Sequence, residues 1–533
     1  VSSQASPDDS GPLNWLARLG ALAIAAMACA VPLVVAPWMD TRRPNLLVAK
    51  AVALAIVGLV ATVCGAVLLL ARSGTRWPGA PVPVAAVGVL AAVTALSAAL
   101  SDDPMYSFRH AGPGLAAMGA AMFAPLLLRS RHAVAFVIGG ALLAAAVGAG
   151  IMAASAADVR TFNRAIYGGD ARDVAENAEM RERMARMVEG GFARGAILGT
   201  QGNPEYAGTY LAVAAALASV LALDIAPRSS RPRAAWLGAV ALLLLILAAL
   251  AASQTRGAWL GIGAAGLVRA LLPSRVKGWV IALWLGASVS LAAALGALAG
   301  GAAFLLGAAG IGLHYVRSGG LAEFWRGATR PNRILFIAMP LLLGAMVAAL
   351  SIPGPWNPLG ARVASRLAAA FDPADRSVRE RLVFYMMGSE QLAERPLLGH
   401  GPGMFGPKFY PALARLADRD DSGTLAYARQ IMVERVPEFS HSDYVQLAAE
   451  RGVAGLAAFL AAAAGVLAGL ARIVRTHADA GLRALALACG CGIAASLTVS
   501  LFSGPLHFAD RSALFWALMA CAIALAAMER RGA

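Results

Sequence analysis

Charge is scarce in this sequence. Only 14% of its 533 residues are charged, while 59% are apolar and the mean hydropathy is +0.66; a soluble domain carries roughly 25% charged side chains. A water-soluble globule is excluded on that ground. The alternating segments of about ten residues that mark outer-membrane strands are also missing, and apolar runs reach twenty residues and more. The expected fold is therefore all-α, a polytopic transmembrane helical bundle of about 12–14 spans with a large external helical loop. Cysteine is scarce too. Cys29, Cys64, Cys489, Cys491 and Cys521 all lie inside apolar stretches, where thiols pack as small hydrophobes, so neither a disulfide framework nor a thiolate zinc site is expected. No internal repeat is found, and residues 1–12 have no basic n-region, which reads as a short cytosolic tail ahead of a first anchoring span.

Acidic residues are fewer than basic ones, 30 against 45, for a net charge of +15. In a soluble protein that excess would suggest nucleic acid. Beside membrane spans arginine is first a topology signal, so no nucleic-acid partner is expected. Runs of about twenty apolar residues place spans near 13–37, 45–71, 81–101, 111–128, 132–156, 204–226, 233–252, 257–273, 333–352, 443–471, 482–503 and 508–528. Residues 278–315 would be about 57 Å long as one helix, nearly twice the hydrocarbon thickness. Two crossings turning near Gly296 to Gly301 are expected there instead, which puts both termini on one side.

On that side fall Arg72, Arg76, Arg129, Arg131, Arg228, Arg231, Arg233, Arg269, Arg472, Arg475, Arg530 and Arg531, among others. The opposite short loops and span ends hold Arg42, Arg43, Lys50, Arg109, Arg256 and Arg511. The imbalance predicts cytoplasmic termini. The expected organisation is then a cytoplasmic tail over 1–12, N-terminal membrane helices over 13–156 and an external amphipathic loop over 157–203, with a helix near 171–190 lying along the membrane surface. Central membrane helices over 204–352, a large external loop over 353–442, C-terminal membrane helices over 443–528 and a cytoplasmic tail over 529–533 complete it.

Polar motifs at a membrane face are informative because burying them is costly. Four fall on the predicted outer face: Gly199 to Pro204, Ser253 to Gly257, Arg381 to Gly403, and His441-Ser442-Asp443-Tyr444. Gly202-Asn203-Pro204, Ser253-Gln254-Thr255-Arg256-Gly257-Ala258, Arg381-Leu382-Val383-Phe384-Tyr385, Pro396-Leu397-Leu398-Gly399-His400-Gly401-Pro402-Gly403-Met404-Phe405 and His441 through Gly455 together resemble the O-antigen ligase and polymerase superfamily of bacterial cell-surface polysaccharide assembly. The resemblance covers roughly residues 195–470, with Tyr385 standing where the family's aromatic is usually Trp.

That resemblance implies glycan transfer from an undecaprenyl pyrophosphate carrier to an acceptor hydroxyl of lipid A-core or another glycan. The transfer would invert the anomeric centre at the periplasmic face of the bacterial inner membrane, with membrane lipids as surroundings and neither metal nor other cofactor. His441 is implied as the base, because imidazole suits proton removal near neutral pH. Arg256 and Arg381 are implied as the cations that meet the leaving pyrophosphate. Asn203, Arg379, Tyr385 and Tyr444 are implied as substrate-binding residues.

Plainer roles compete. Arg256 can snorkel to headgroups, Arg381 can pair with Glu390, Asn203 can cap the sixth span, and a lone histidine at a helix start need have no chemical task. The Gly399 to Gly403 run reads as a turn, not a nucleotide loop. Adjacent Ser440, His441, Ser442 and Asp443 cannot converge as a hydrolase triad does. Asp102-Asp103 offers the metal-dependent alternative. A transporter is disfavoured, since the unusual residues gather at one face and no repeated halves are seen. Polymerase and protein-directed transferase remain alternatives to the ligase.

Overall fold

The computed structural model describes residues 13–33, 43–71, 81–157, 204–253, 255–272, 376–417 and 437–532. Among the described residues the chain is helical, without strands. Five helices come first: α1 (Asn14–Leu33), α2 (Arg43–Ala71), α3 (Pro81–Ala99), α4 (Pro104–Leu127) and α5 (Arg131–Ala157). Then follow α6 (Pro204–Val220), α7 (Pro232–Ser253), α8 (Arg256–Leu271), α9 (Arg376–Glu394), α10 (Phe409–Ala417), α11 (Asp443–Thr476), α12 (Ala480–Val499) and α13 (Ala509–Gly532). Proline opens α3, α4, α6 and α7, where the helix has no use for an N–H and a fixed φ is an advantage. The carboxylate of Asp103 caps α4 by accepting from Tyr106 N at 2.9 Å, and that of Asp479 caps α12 through Gly481 N and Leu482 N.

Nine of the described helices are long and apolar enough to cross a membrane. Two expected spans are helical without joining them: α8 has only 16 residues, about 24 Å of rise, and α4 opens with a polar turn holding Ser107, Arg109 and His110. The helix expected near 171–190, the hairpin within 278–315, the span at 333–352 and Asn203 lie outside the described residues.

The bundle follows membrane packing rules. α12 and α13 are almost wholly buried at its centre, with α8 and α6 against α12, and α4 and α1 against α13. α2 shows lipid a stripe of Val52, Ile56, Leu59, Val63, Val67 and Leu70, spaced by three or four residues. Its other face meets α4 so closely that a Cβ on Gly58 would stand 2.8 Å from the Ala116 backbone. Small residues permit that approach, and Thr62 Oγ1 donates across it to Ala116 O at 3.1 Å.

One end of the bundle is arginine-rich: Arg131 pairs with Asp479 at 2.6 Å, Arg269 with Asp224 at 2.8 Å, and Arg475 and Arg531 donate to the Leu272 and Pro125 carbonyls. The helix ends carrying the unusual motifs all lie at the other end. There the expected span over 443–471 is present but is not one continuous helix. α11 is broken at Gly452 (φ 67°, ψ −171°), so that residues 443–451 form a short buried helix before the long one.

Candidate functional site

A broken helix exposes backbone groups that must find partners. Here the Pro396–Gly403 turn supplies them. His400 N donates to Ala449 O at 3.1 Å and Gly401 N to Glu450 O at 2.8 Å, while Val453 N and Ala454 N donate back to Pro396 O and Leu397 O at 2.8 and 3.2 Å. Ser97 Oγ on α3 adds a bond to Glu450 O at 2.7 Å. The plug works only with glycine, since a Cβ at Gly399 would stand 2.3 Å from the Glu450 carbonyl carbon and one at Gly452 2.2 Å from that of Leu397. The glycine run is therefore a structural turn. His400 is buried inside it with Nε2 3.1 Å from Gln391 O, and burial pushes its pKa down.

The short helix that the plug holds carries His441 just before it and Asp443 at its first position. Among the described non-glycine residues His441 alone has a positive φ, at 56°. Its imidazole is half-buried and stacked on Phe384 of α9, centroids 5.6 Å apart and planes at 16°. The turn around it is held from both flanks: Ser440 Oγ donates to Ser442 O at 2.6 Å, and Gln446 Oε1 accepts from Ser440 N at 3.2 Å.

The segment joining α12 to α13 receives both predicted tyrosines. Tyr385 Oη donates to Leu501 O at 2.9 Å and Tyr444 Oη to Leu497 O at 2.7 Å, both from buried rings. These two hydroxyls tie α9 and α11 to the end of α12. Arg381, half-buried, lies one helical turn before Tyr385 on α9. Arg256 opens α8, where the neighbouring Gly257 faces Phe502 and Thr255 crowds Gly208 of α6. The side chains of Arg256 and Arg379 lie outside the described residues. The start of α8 through Gly257, α9 through Tyr385, and α11 through Asp443 and Tyr444 thus each contact residues between 497 and 506.

Asp443 takes no part in a triad with its neighbours. Its carboxylate, fully buried, accepts from Ser500 Oγ at 2.7 Å and from Leu506 N at 3.1 Å, and pairs with His507 Nδ1 at 2.7 Å. Asp102 and Asp103 also point to separate tasks. Asp103 caps α4, and Asp102 meets Arg395 at 2.5 Å and Lys408. The Lys408 hydrogen bond, helped by Arg395, holds the Asp102 carboxyl below its usual range despite partial burial. Glu390 pairs with Arg415 at 3.3 Å.

Sequence reasoning missed the buried charges of this end. His507, in the turn Pro505–His507, has Nε2 3.5 Å from Glu450 Oε2 as well as its bond to Asp443. Burial alone would lower its pKa, but the hydrogen bond to Asp443 and the charges of Asp443 and Glu450 outweigh that and raise it to about 9. Lys50 at the start of α2 is 1% exposed and reaches Asp510 at 3.3 Å and Pro32 O at 3.2 Å. A signal existed: Glu450, Lys50 and Asp510 stand within or beside apolar runs that otherwise exclude charge.

No curated protein matches the chain. A family model described as O-antigen ligase matches residues 241–460, the stretch that holds Arg256, Arg381 and His441, and over that stretch the chain is similar to the O-antigen ligase superfamily.

Proposed function

We propose that this chain is a membrane glycosyltransferase of the O-antigen ligase type, moving a glycan from undecaprenyl pyrophosphate in the outer leaflet to a hydroxyl of lipid A-core. The family match supports the glycosyltransferase class in general. The reading of the particular reaction rests on one observation, the left-handed backbone of His441. A non-glycine residue in that region costs on the order of 1–3 kcal/mol and persists only where its surroundings over-determine it, as they do at functional sites. Here Ser440, Ser442 and Gln446 fix the turn and Phe384 the ring, which leaves a half-exposed imidazole among helices that carry two arginines.

In this reading His441 removes the acceptor hydroxyl proton as the sugar leaves its pyrophosphate. Imidazole ordinarily titrates near 6.5, a value that suits a base working near neutral pH. Arg256 and Arg381, with Arg379 beside them, meet the pyrophosphate charge through forked hydrogen bonds. Tyr385 and Tyr444 serve by anchoring the helices that present Arg381 and His441, and Asn203 precedes the first turn of α6. The arginine-rich opposite end of the bundle supports a periplasmic site in the bacterial inner membrane, because positive residues favour the cytoplasmic side.

The test is single-turnover transfer together with donor binding, on purified protein in lipid. His441→Ala should lose about 10²–10⁴-fold in turnover and keep its affinity for the lipid-linked donor. Arg381→Ala and Arg256→Ala should lose donor affinity as well, since they face charge already present in the ground state. Near-normal turnover in His441→Ala would end the histidine-base reading.

A further inference from the structure

We propose that His507 is a positioning residue for the transfer reaction, clamping both flanks of the His441 turn; the inference rests on His441 being the base. Asp443 and Glu450 are seven residues apart, two turns along one face of the short helix, and the imidazole bridges them, with Nδ1 2.7 Å from Asp443 Oδ1 and Nε2 3.5 Å from Glu450 Oε2. Each carboxylate leads to a different side of His441. Asp443 lies two residues after it and is also held by Ser500 Oγ and Leu506 N. Glu450 Oε1 accepts from Gln446 Nε2 at 2.9 Å, and Gln446 Oε1 in turn accepts from Ser440 N, the residue before His441. One imidazole therefore sets the start and the end of the strained turn.

The clamp needs its proton. Among the described residues the buried Glu450 Oε2 has no hydrogen-bond partner, so the charged ring at 3.5 Å is its compensation. A neutral imidazole would give up one of its two donors and leave two buried carboxylates facing each other. The charged groups facing the ring are Asp443 and Glu450 of α11; Arg451 acts on both carboxylates, Tyr106 of α4 and Glu438 lie near Glu450, and Asp510 and Arg511 at the start of α13 are engaged with each other and with Lys50. With the His507 proton held until about pH 9, the His441 turn should loosen above that pH. The wild-type rate is thus expected to have an alkaline limb that belongs to His507.

The experiment is single-turnover transfer against pH from 6 to about 10, with donor affinity and thermal melting recorded for each protein in lipid. Wild type should lose rate above about pH 9. Glu450→Gln keeps the shape of the side chain and removes one of the two charges that hold the proton, so its alkaline limb should move down by about 1–3 units. His507→Asn keeps a donor to Asp443 without a titrating proton; it should turn over about 10²-fold more slowly at pH 7, with donor affinity unchanged and no alkaline limb. A merely structural histidine would alter melting and leave the limb where it is. An alkaline limb that Glu450→Gln does not move, or wild-type turnover in His507→Asn, overturns the proposal, and the isosteric Glu450→Gln decides it should His507→Asn fail to fold. If His441→Ala is active the base reading fails, whatever the limb does; if His441→Ala is dead and the limb stays fixed, only the role of His507 fails.

Discussion

Gly452→Ala tests whether the broken helix and its plug are the foundation of the site. The added Cβ would lie 2.2 Å from the Leu397 carbonyl carbon and oxygen, where ordinary contact begins at 3.4 Å. The turn would have to withdraw by about 3.4 − 2.2 = 1.2 Å along that contact. Val453 N to Pro396 O, now 2.8 Å, would stretch to about 4.0 Å, and Ala454 N to Leu397 O, now 3.2 Å, to about 4.4 Å. Neither remains a hydrogen bond. Two lost bonds at about 0.5–1.5 kcal/mol each, plus about 1–3 kcal/mol for a side chain at a backbone conformation that essentially only glycine adopts, predict a loss of about 2–6 kcal/mol.

The assay is denaturant-induced unfolding in detergent, with Gly263→Ala on α8 as control because none of the described residues stands within 4 Å of a Cβ there. The control should match wild type or gain slightly from helix propensity. Amide exchange in residues 396–403 should accelerate in Gly452→Ala, and turnover should fall with it, because Glu450 and the His441 turn lose their backing. If Gly452→Ala unfolds together with the control, the plug does not hold the site and the reasoning from close contact is wrong.

Lys50→Met should cost about 3–5 kcal/mol by stranding Asp510 in the bundle, and Lys50→Met with Asp510→Leu should recover most of that in the same unfolding assay; an equal loss in the double variant would show that packing, not charge pairing, was disturbed. Stability should also vary with pH through His507. Its folded pKa, about 9, lies above the ordinary 6.5, so its contribution is fully present below about 6.5 and lost as pH rises through 9; melting recorded across that window should decline in wild type and stay flatter in His507→Asn. Transfer should continue in excess chelator, because Asp102 and Asp103 are engaged by Arg395, Lys408 and the α4 cap. Activity lost to chelator and restored by Mg²⁺ or Mn²⁺ would move the chemistry to those two carboxylates.

The helices were legible because the bilayer imposes a length and a composition that need no partner to be recognised. α1, α2, α3, α5, α7, α12 and α13 stand within a few residues of the spans expected from apolar runs. What escaped was every feature that depends on a distant segment. Gly452 sits before an alanine-rich stretch and reads there as one more small residue. Its break becomes comprehensible only beside Pro396 and Leu397, which supply the partners its backbone loses. The resemblance pointed to Gly399, Gly401 and Gly403 without saying why glycine stood there. Their positive φ values and the backbone they approach give the reason.

The site divides in the same way. His441 and the two arginines came from motifs, whose residue types announce a base and an anion partner. Tyr385 and Tyr444 came from the same motifs, but their bonds to Leu501 and Leu497 act on helix placement, a role that no local pattern encodes. His507 was invisible for a physical reason: its effect is exerted on Asp443, 64 residues away in sequence, and on Glu450, and a lone histidine near a span end has no signature of its own. Burying three ionisable groups at a membrane face is expensive unless each finds a partner. An apolar cluster of the same volume could fill that space and could not impose direction on it. Hydrogen bonds can, and the groups at both edges of the His441 turn receive theirs from this cluster. A left-handed histidine requires such directional restraint, which explains why the charges are concentrated beneath that turn and not along the spans.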